Sequence, residues 1–238
     1  MADMISIGLD IGAVSATAAL ITDRDDLGES LGVMKFLREL PNGQRLFVNA
    51  YTRTQGRPVA TAREILASAG AALSACDAEL DTIMFTGSAS DTCAKACGGS
   101  TINAFRATAA GLATLDIPAA SVLEIGGESS KYLLLERNED GGYGIVDYST
   151  NGDCAAGTGS FIDQQANRLQ YDVEAIGEIC ATAERSAQIA GRCSVFAKSD
   201  MIHAQQKGYT PAEVLRGLCD AVARNFKSAV VRSHAITE

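Results

Sequence analysis

Residues Ile5–Ile21, ISIGLDIGAVSATAALI, decide the fold, because they form an apolar stretch broken by a polar turn at its centre. The apolar residues before Asp10 predict one strand, those after residue 17 predict a second, and Gly12 lies in the tight turn between them. An acidic residue at such a bend suits a ligand-binding turn. It equally suits an ordinary hairpin with a solvated carboxylate, and this segment alone leaves both interpretations open.

The same order of features returns in Ser121–Leu135, SVLEIGGESSKYLLL. Glu124 precedes a Gly126-Gly127 turn there, 114 positions after the acidic residue of the first hairpin. A repeat of this size predicts an α/β chain made of two similar halves, residues 1–117 and 118–238, on either side of a cleft. Turns converging from both halves would bind a polyphosphate, with the acidic groups holding magnesium through water. The alternative is that both segments are only hairpins.

Hydrophobic period and turn residues predict the remaining elements. Strands are expected at 33–40, 45–52, 80–86 and 143–148, with the strands that open the chain forming an antiparallel meander. Helices are expected at 58–76, 91–97, 103–115, 161–169, 173–183 and 212–231. Thr210, Pro211 and Glu213 predict a capping box at the start of the last helix. Residues 191–200 are expected to be irregular and to enter a helix through 203–207.

A third glycine-rich segment, Thr150–Phe161 with the sequence TNGDCAAGTGSF, places Cys154 three residues before a glycine turn. Backbone amides at such a turn, where a helix opens, suit an anion. The cysteine is either a small buried residue or a sulfur presented for chemistry. Elsewhere, Cys93 and Cys97 lie one helical turn apart, within reach of a shared metal, although cysteines at this spacing are more often packed.

Composition excludes several classes of protein. The 238-residue chain carries a net charge of −9, which argues against a nucleic-acid partner because no basic face survives that balance. No apolar run reaches the ~18 residues that span a membrane. The N-terminus lacks the basic and apolar regions of a signal peptide, so a cytoplasmic location is expected. Seven cysteines in such a chain indicate reduced thiols or metal ligands rather than a disulfide framework.

Four motifs, taken in order, resemble one family. They are Gly8–Gly12 GLDIG, Glu124–Gly127 EIGG, Asn151–Phe161 NGDCAAGTGSF and Cys193–Ser199 CSVFAKS. Together they resemble the ATP-dependent activators of 2-hydroxyacyl-CoA dehydratases and the related ATPase subunits of benzoyl-CoA reductases. That family has the ribonuclease H-like fold of actin, Hsp70 and the sugar kinases. The resemblance covers about residues 5–231, and its two cysteine motifs are far more specific than its hairpins.

The resemblance implies an iron–sulfur ATPase that drives a low-potential electron into a partner enzyme. Cys154 and Cys193 match the family's ligands for one 4Fe–4S cluster at a homodimer interface, to which each protomer contributes two cysteines. The implied catalytic residues are Asp10, Glu124 and Glu128, and the implied residues at ATP and Mg²⁺ are Gly12, Ala13, Gly126, Gly127, Gly157, Thr158 and Gly159. The implied partners are an acyl-CoA dehydratase or reductase as electron acceptor and reduced ferredoxin or flavodoxin as donor.

Three departures from the family pattern bear on activity. The serine after the first turn is Ala13, the lysine that follows it aligns with Thr17, and the water-positioning glutamine of the second turn is Glu128. Losing a hydroxyl and an ammonium aimed at phosphate weakens nucleotide binding. A degenerate module that binds a cluster or a partner without hydrolysing ATP therefore stays open. A small-molecule kinase of the same superfamily also stays open, although no carboxylate base can be placed for it.

The resemblance also implies that the second half is truncated. The glycine turn that clamps adenosine in this family is expected beyond residue 231, and no such turn follows there. The chain is therefore expected to be the first module of a large activator-like protein. In that case the cluster would be shared by two copies of this chain or, in a pseudo-dimer, by tandem modules.

Overall fold

The structure, a computed structural model, describes residues 4–151, 158–190, 194–234 and 236. The chain divides into two units, which are described separately. The first comprises Met1–Ala119 and Glu136–Ile145, and the second comprises Ala120–Leu135 and Val146–Glu238.

The first unit is built on an eight-stranded sheet. Its strands are β1 Ile5–Ile11, β2 Ser15–Thr22, β3 Ser30–Leu31, β4 Met34–Glu39, β5 Arg45–Asn49, β6 Thr52–Arg53, β7 Thr82–Thr86 and β8 Ser100–Thr101. The order across the sheet is β3-β4-β5-β2-β1-β7-β8, and β6 pairs with β2. The strands from β1 to β6 pair antiparallel, whereas β7 runs parallel to both β1 and β8. The predicted antiparallel pairing of the opening strands is therefore confirmed, but their order as a meander was wrong, because β5 rather than β4 lies beside β2.

The described part of the first unit has three helices, of which the first two pack against the sheet. They are α1 Pro58–Ser74, α2 Ser90–Cys97 and α3 Ala104–Thr114. The buried face of α1 contains Ala62, Ile65, Ala69 and Leu73, at the spacing of three and four from which the helix was predicted. These side chains pack against the alternate residues of β1, from Ile5 to Ile11, and so form the main hydrophobic core of this unit.

A three-stranded sheet in the order β11-β10-β9 lies mostly in the second unit, and only its Glu136–Ile145 end belongs to the first. Its strands are β9 Ser121–Ile125, β10 Ser130–Arg137 and β11 Tyr143–Thr150, and β9 pairs antiparallel with β10. The helices of the second unit are α4 Gly159–Arg168, α5 Ile176–Ala181, α6 Ser194–Gln206 and α7 Pro211–Phe226; a 3₁₀ turn, Val173–Ala175, precedes α5. The predicted capping box is confirmed, since Thr210 Oγ1 accepts from Glu213 N–H at 3.3 Å and Glu213 Oε2 accepts from Thr210 N–H at 2.8 Å.

Two predictions about helices in this unit were wrong in extent. The segment expected to be irregular up to residue 200 is helical from Ser194 onward. Ala197, Met201 and Ala204 form the buried face of that helix, and the polar residues 198–200 between them obscured the period. The last α-helix ends at Phe226, because Lys227–Val231 continues as a π-helical turn rather than as α-helix.

Candidate functional site

The turn between β1 and β2 is closed by one hydrogen bond, from Gly12 N–H to the Ser15 carbonyl at 2.9 Å. The Ile11 carbonyl accepts from Ala89 N–H at 3.0 Å, at the start of α2. Asp10 lies at the end of β1, opposite Thr17 on β2 and Thr86 on β7. The first predicted turn therefore exists, and its acidic residue is placed where three strands meet.

Thr54 holds the tip of this first turn, and sequence analysis did not identify it. Its hydroxyl donates to the Ala13 carbonyl at 2.7 Å, and its N–H donates to the Val14 carbonyl at 2.9 Å. These two bonds fix the carbonyls of Ala13 and Val14. The N–H groups of the same two residues are adjacent and have no acceptor in the described part of the chain. Adjacent backbone N–H groups of this kind form a site for an anion.

Thr86 and Gly87 end β7 beside Asp10, and they too were missed as functional candidates. Gly87 has a φ of +91°, and a Cβ there would collide with the Asp10 carboxylate and with the Ile11 carbonyl. Only glycine therefore lets the end of β7 approach Asp10 this closely. The buried Thr86 hydroxyl oxygen has no hydrogen-bond partner among the residues that the structure describes. A buried polar group without a partner is a candidate for ligand contact.

The turn between β9 and β10 repeats the geometry of the first. Gly126 N–H donates to the Ser129 carbonyl at 2.9 Å, the same bond at the same length as between Gly12 and Ser15. A Cβ on Gly126 would lie 2.7 Å from the Ser129 carbonyl oxygen, so the turn requires glycine at this position. The sequence repeat is therefore a repeat of backbone structure.

The N-terminus of α4 holds this second turn. Gly159 N–H donates to the Gly126 carbonyl at 2.8 Å, and Ser160 N–H donates to the Gly127 carbonyl at 2.9 Å. The Gly159 amide, predicted to face phosphate, is thus engaged by the turn itself. The N–H groups of Gly127 and Glu128 at the tip have no acceptor within the described ranges, as at the tip of the first turn. Thr158 is fully buried at the N-cap of α4, and Gly157 lies outside the described residues.

The charges beside the two turns differ. Glu124 forms an ion pair with Lys131, in which Glu124 Oε1 accepts a hydrogen bond from Lys131 Nζ at 2.6 Å. The position that faces Asp10 in the first hairpin is Thr17, which is exposed and carries no charge. Glu128 is exposed at the tip of the second turn. The second hairpin therefore has Lys131 at the position that Thr17 occupies in the first hairpin.

The cysteines predicted as metal ligands, Cys154 and Cys193, lie outside the described residues. Within the part that is described, no three His, Cys, Asp or Glu side chains are grouped as a metal site. Cys93 is fully buried in the core of the first unit, where burial and the neighbouring Cys97 raise its pKa. In the second unit, burial and the neighbouring Cys180 raise the pKa of Cys219 to about 12. These thiols stay protonated at neutral pH, as packed cysteines do.

Searches against known proteins agree with the motifs. The profile of a family described as the BadF/BadG/BcrA/BcrD ATPase family matches residues 7–238. The 2-hydroxyisocaproyl-CoA dehydratase activator of Clostridioides difficile is 30% identical over 112 residues, 47% of this chain and 41% of that protein. The (R)-2-hydroxyglutaryl-CoA dehydratase activating ATPase of Acidaminococcus fermentans is 32% identical over 103 residues, 43% of this chain and 38% of that protein. The matched stretch thus spans about two fifths of the length of these curated relatives.

Solved structures confirm the predicted fold class. Component A of the Acidaminococcus fermentans dehydratase superposes with a TM-score of 0.71 at 22% identity, over 99% of this chain and 80% of that one. The Clostridium difficile activator with bound ADPNP gives 0.72 at 23% identity, over 99% and 78%. At this level of identity the likeness establishes the α/β actin-like fold. Separately, none of the described helices is long and apolar enough to cross a membrane.

Proposed function

Because this chain belongs to the BadF/BadG/BcrA/BcrD ATPase family, we propose that it couples ATP hydrolysis to the transfer of a low-potential electron. The acceptor would be a 2-hydroxyacyl-CoA dehydratase or an acyl-CoA reductase, since relatives are named as activators or subunits of such enzymes. The donor would be reduced ferredoxin or flavodoxin. In this proposal residues 1–117 and 118–238 are the two halves of one cytoplasmic nucleotide-binding module.

The observation that carries the nucleotide part of the proposal is the pair of tip amides in each turn. Ala13 and Val14 in one turn, and Gly127 and Glu128 in the other, offer four N–H groups without an acceptor in the described chain. Amides fixed in this way can bind phosphate oxygens without a change in backbone conformation. Each pair of N–H groups therefore fits a phosphate group, whose charge suits backbone N–H groups better than any neutral ligand does.

The carboxylates at the turns would hold the metal of a Mg–ATP complex. Asp10 and Glu124 would bind Mg²⁺ through water, in keeping with the preference of magnesium for oxygen ligands and retained waters. Glu124 would do so while paired with Lys131. Glu128, exposed at the tip, would orient the attacking water. Gly12 and Gly126 keep the chain close enough for these contacts.

The electron-transfer part of the proposal rests on Cys154 and Cys193. The helix α6 begins at Ser194, directly after Cys193, and N–H groups at a helix N-terminus stabilise a thiolate and an anionic cluster. A 4Fe–4S cluster would supply one-electron chemistry at low potential. Two cysteines complete a four-cysteine site only with a second copy or a second module, so a homodimer or a pseudo-dimer of modules is part of the proposal.

A second candidate function follows from the residues that face the first turn. Ala13 provides no hydroxyl and Thr17 provides no ammonium, so the first turn binds phosphate through its backbone alone. A module of this kind would bind nucleotide weakly and would serve as a cluster- or partner-binding module without hydrolysis. The cysteine pair Cys154 and Cys193 argues against the alternative of a small-molecule kinase.

The experiment is anaerobic reconstitution of the purified chain with iron and sulfide, followed by absorption spectroscopy and gel filtration. We expect an oxygen-sensitive brown dimer. The double variant Cys154→Ala, Cys193→Ala should lose the cluster absorbance, whereas the matched variant Cys76→Ala, at an exposed cysteine, should retain it. An unchanged cluster absorbance in the double variant would contradict the proposal. A cluster without ATP turnover, under saturating Mg–ATP, would favour the non-hydrolysing module.

A further inference from the structure

Two cysteines of the second unit contact each other where α5 packs on α7. Cys180 lies in the last turn of α5, and Cys219 lies in α7. Both side chains are half-buried against the same hydrophobic cluster, whose buried members are Ala166, Ile176 and Leu215. The two thiols are hydrogen-bonded to each other, and no disulfide joins them. They form a dithiol site that the proposed function does not use.

The segment that follows α5 is fixed to α7 on both sides of Cys219. Arg216, one turn before Cys219, donates from Nη1 to the Ala183 carbonyl at 2.7 Å. Asp220, directly after Cys219, accepts from Ser186 Oγ at 2.5 Å. These two bonds hold the end of α5 against the part of α7 that carries Cys219.

This segment approaches α7 so closely that the helix requires a glycine. A Cβ on Gly217 would collide with the Ala187 carbonyl oxygen. The Ala187 N–H donates to the Glu213 carbonyl of α7 at 3.0 Å, so the two backbones lie directly against each other. Because closely packed elements shift little relative to each other, the sulfur atoms of Cys180 and Cys219 stay within reach.

The surroundings of the two thiols give them different roles. Burial raises the pKa of Cys180, and the Cys219 S–H and the Arg216 guanidinium limit that increase. Burial and the neighbouring Cys180 raise the pKa of Cys219 to about 12. The thiolate is the reactive form of a cysteine. Cys180 is therefore the thiol that ionises and attacks first, and Cys219 is the thiol that completes an exchange.

We propose that Cys180 and Cys219 are a modification site for low-molecular-weight disulfides, which close an intramolecular disulfide between α5 and α7. The Cys180 thiolate attacks one sulfur atom of the small disulfide, forms a mixed disulfide with it and releases one small thiolate. The Cys219 sulfur then attacks the Cys180 sulfur, so the protein disulfide forms and the second small thiolate leaves. The protons of the two protein thiols pass to the two released thiolates. The protein is thus oxidised by two electrons, and the small disulfide is reduced to two thiols.

Another pair of neighbouring cysteines, Cys93 and Cys97, does not have this geometry. The two lie four positions apart on α2, a spacing at which the Cβ atoms are about 5–6 Å apart. A disulfide requires a Cβ–Cβ distance of about 3.5–4.5 Å. Cys93 is also fully buried, which denies it to a reagent in solution. This pair therefore serves as an internal control for the reaction of Cys180 and Cys219.

The first part of the test treats the full 238-residue chain anaerobically with cystamine, the disulfide of cysteamine, at about pH 8.5, where more thiol is ionised. Free thiols are then blocked, and the peptides are mapped by mass spectrometry. We expect a disulfide between the peptides of Cys180 and Cys219, and free thiols at Cys93 and Cys97. The exposed Cys76 should carry cysteamine, which shows that the reagent was active. Cys180 and Cys219 left as free thiols, or stopped at the mixed disulfide, would overturn the proposal.

Single variants test the roles of the two thiols. Cys219→Ser should stop the reaction at a mixed disulfide between Cys180 and cysteamine, because no second thiol remains to displace it. In Cys180→Ser, cystamine should modify Cys219 at least about tenfold more slowly than it modifies Cys180 in Cys219→Ser. Equal rates in the two variants would overturn the assigned order of attack.

Thermal unfolding of the oxidised and reduced chains tests whether the bond fits the native packing of α5 on α7. The disulfide encloses residues 181–218, and it should raise Tm by at least about 4 °C. Dithiothreitol should restore the Tm of the reduced chain. The Cys219→Ser variant, treated with cystamine in the same way, is the matched control and should show no increase. An unchanged or lower Tm after oxidation would show that the helices must be distorted to form the bond, and would overturn the proposal.

Discussion

The two glycine hairpins are the same turn in different surroundings. Both tips are closed by a 2.9 Å bond from a glycine N–H to a serine carbonyl, and both present two N–H groups without an acceptor in the described chain. The first hairpin lies inside an eight-stranded sheet, whereas the second lies in a three-stranded one with β9 at its edge. The comparison shows that the short motif determines the backbone of the turn, while distant segments determine what surrounds it.

The sharpest test of this comparison is to place the same charge on both strands. Leu9→Asp introduces a carboxylate at a position that is 1% exposed, and it should destabilise the first unit by more than about 4 kcal/mol. Leu123→Asp adds the same carboxylate where the side chain is 45% exposed, and it should cost less than about 1 kcal/mol. Urea unfolding followed by circular dichroism measures both. Comparable losses of stability would contradict the difference in burial.

Adding a methyl group to each turn should change stability less, and here the second hairpin should be the more sensitive of the two. Gly126→Ala would place a Cβ 2.7 Å from the Ser129 carbonyl oxygen, and it should destabilise the second unit by about 1–3 kcal/mol. Gly12→Ala would place its Cβ 3.4 Å from the Ser15 carbonyl oxygen, an ordinary contact, and it should change stability by less than about 0.5 kcal/mol. Amide exchange near each turn reports the two units separately. Equal effects at both turns would refute the difference in clearance.

The ion pair of the second hairpin has the smallest expected effect on stability. Lys131→Met removes the partner of Glu124, and because this pair is partly exposed the cost should be between 0 and about 1 kcal/mol. The reciprocal change, Thr17→Lys, restores an ammonium beside Asp10 and should tighten binding of Mg–ATP several-fold. Thr17→Met is the matched control without charge. Calorimetry that shows equal affinity for both Thr17 variants would argue against phosphate at the first turn.

The elements that depend only on neighbouring residues could be predicted from the sequence. The hairpins, the period of α1 and the capping box at Thr210 were all predicted and confirmed. The start of α6 was missed because its buried face, Ala197 and Met201, is separated by polar residues. A hydrophobic periodicity that rests on so few residues predicts a helix only weakly.

The neighbours of the turns could not be predicted, because they come from distant parts of the chain. Thr54 reaches the tip of the first turn from 41 residues away. Gly87 and Thr86 reach Asp10 through parallel pairing of β7 with β1, and no local pattern predicts that pairing. Among the predicted site residues, Gly159 came to lie on Gly126, so the amide expected to face a ligand stabilises the turn instead.

In the proposed function, each hairpin binds nucleotide phosphate through its two tip amides. The most direct measurement is the amide NMR spectrum of the ¹⁵N-labelled chain, titrated with Mg–ATP into the millimolar range that weak binding requires. The account predicts that the N–H signals of Ala13, Val14, Gly127 and Glu128 shift together along one binding curve, and that adenosine alone leaves all four in place. Four signals that stay unmoved at saturating Mg–ATP, or that move equally with adenosine, would contradict it.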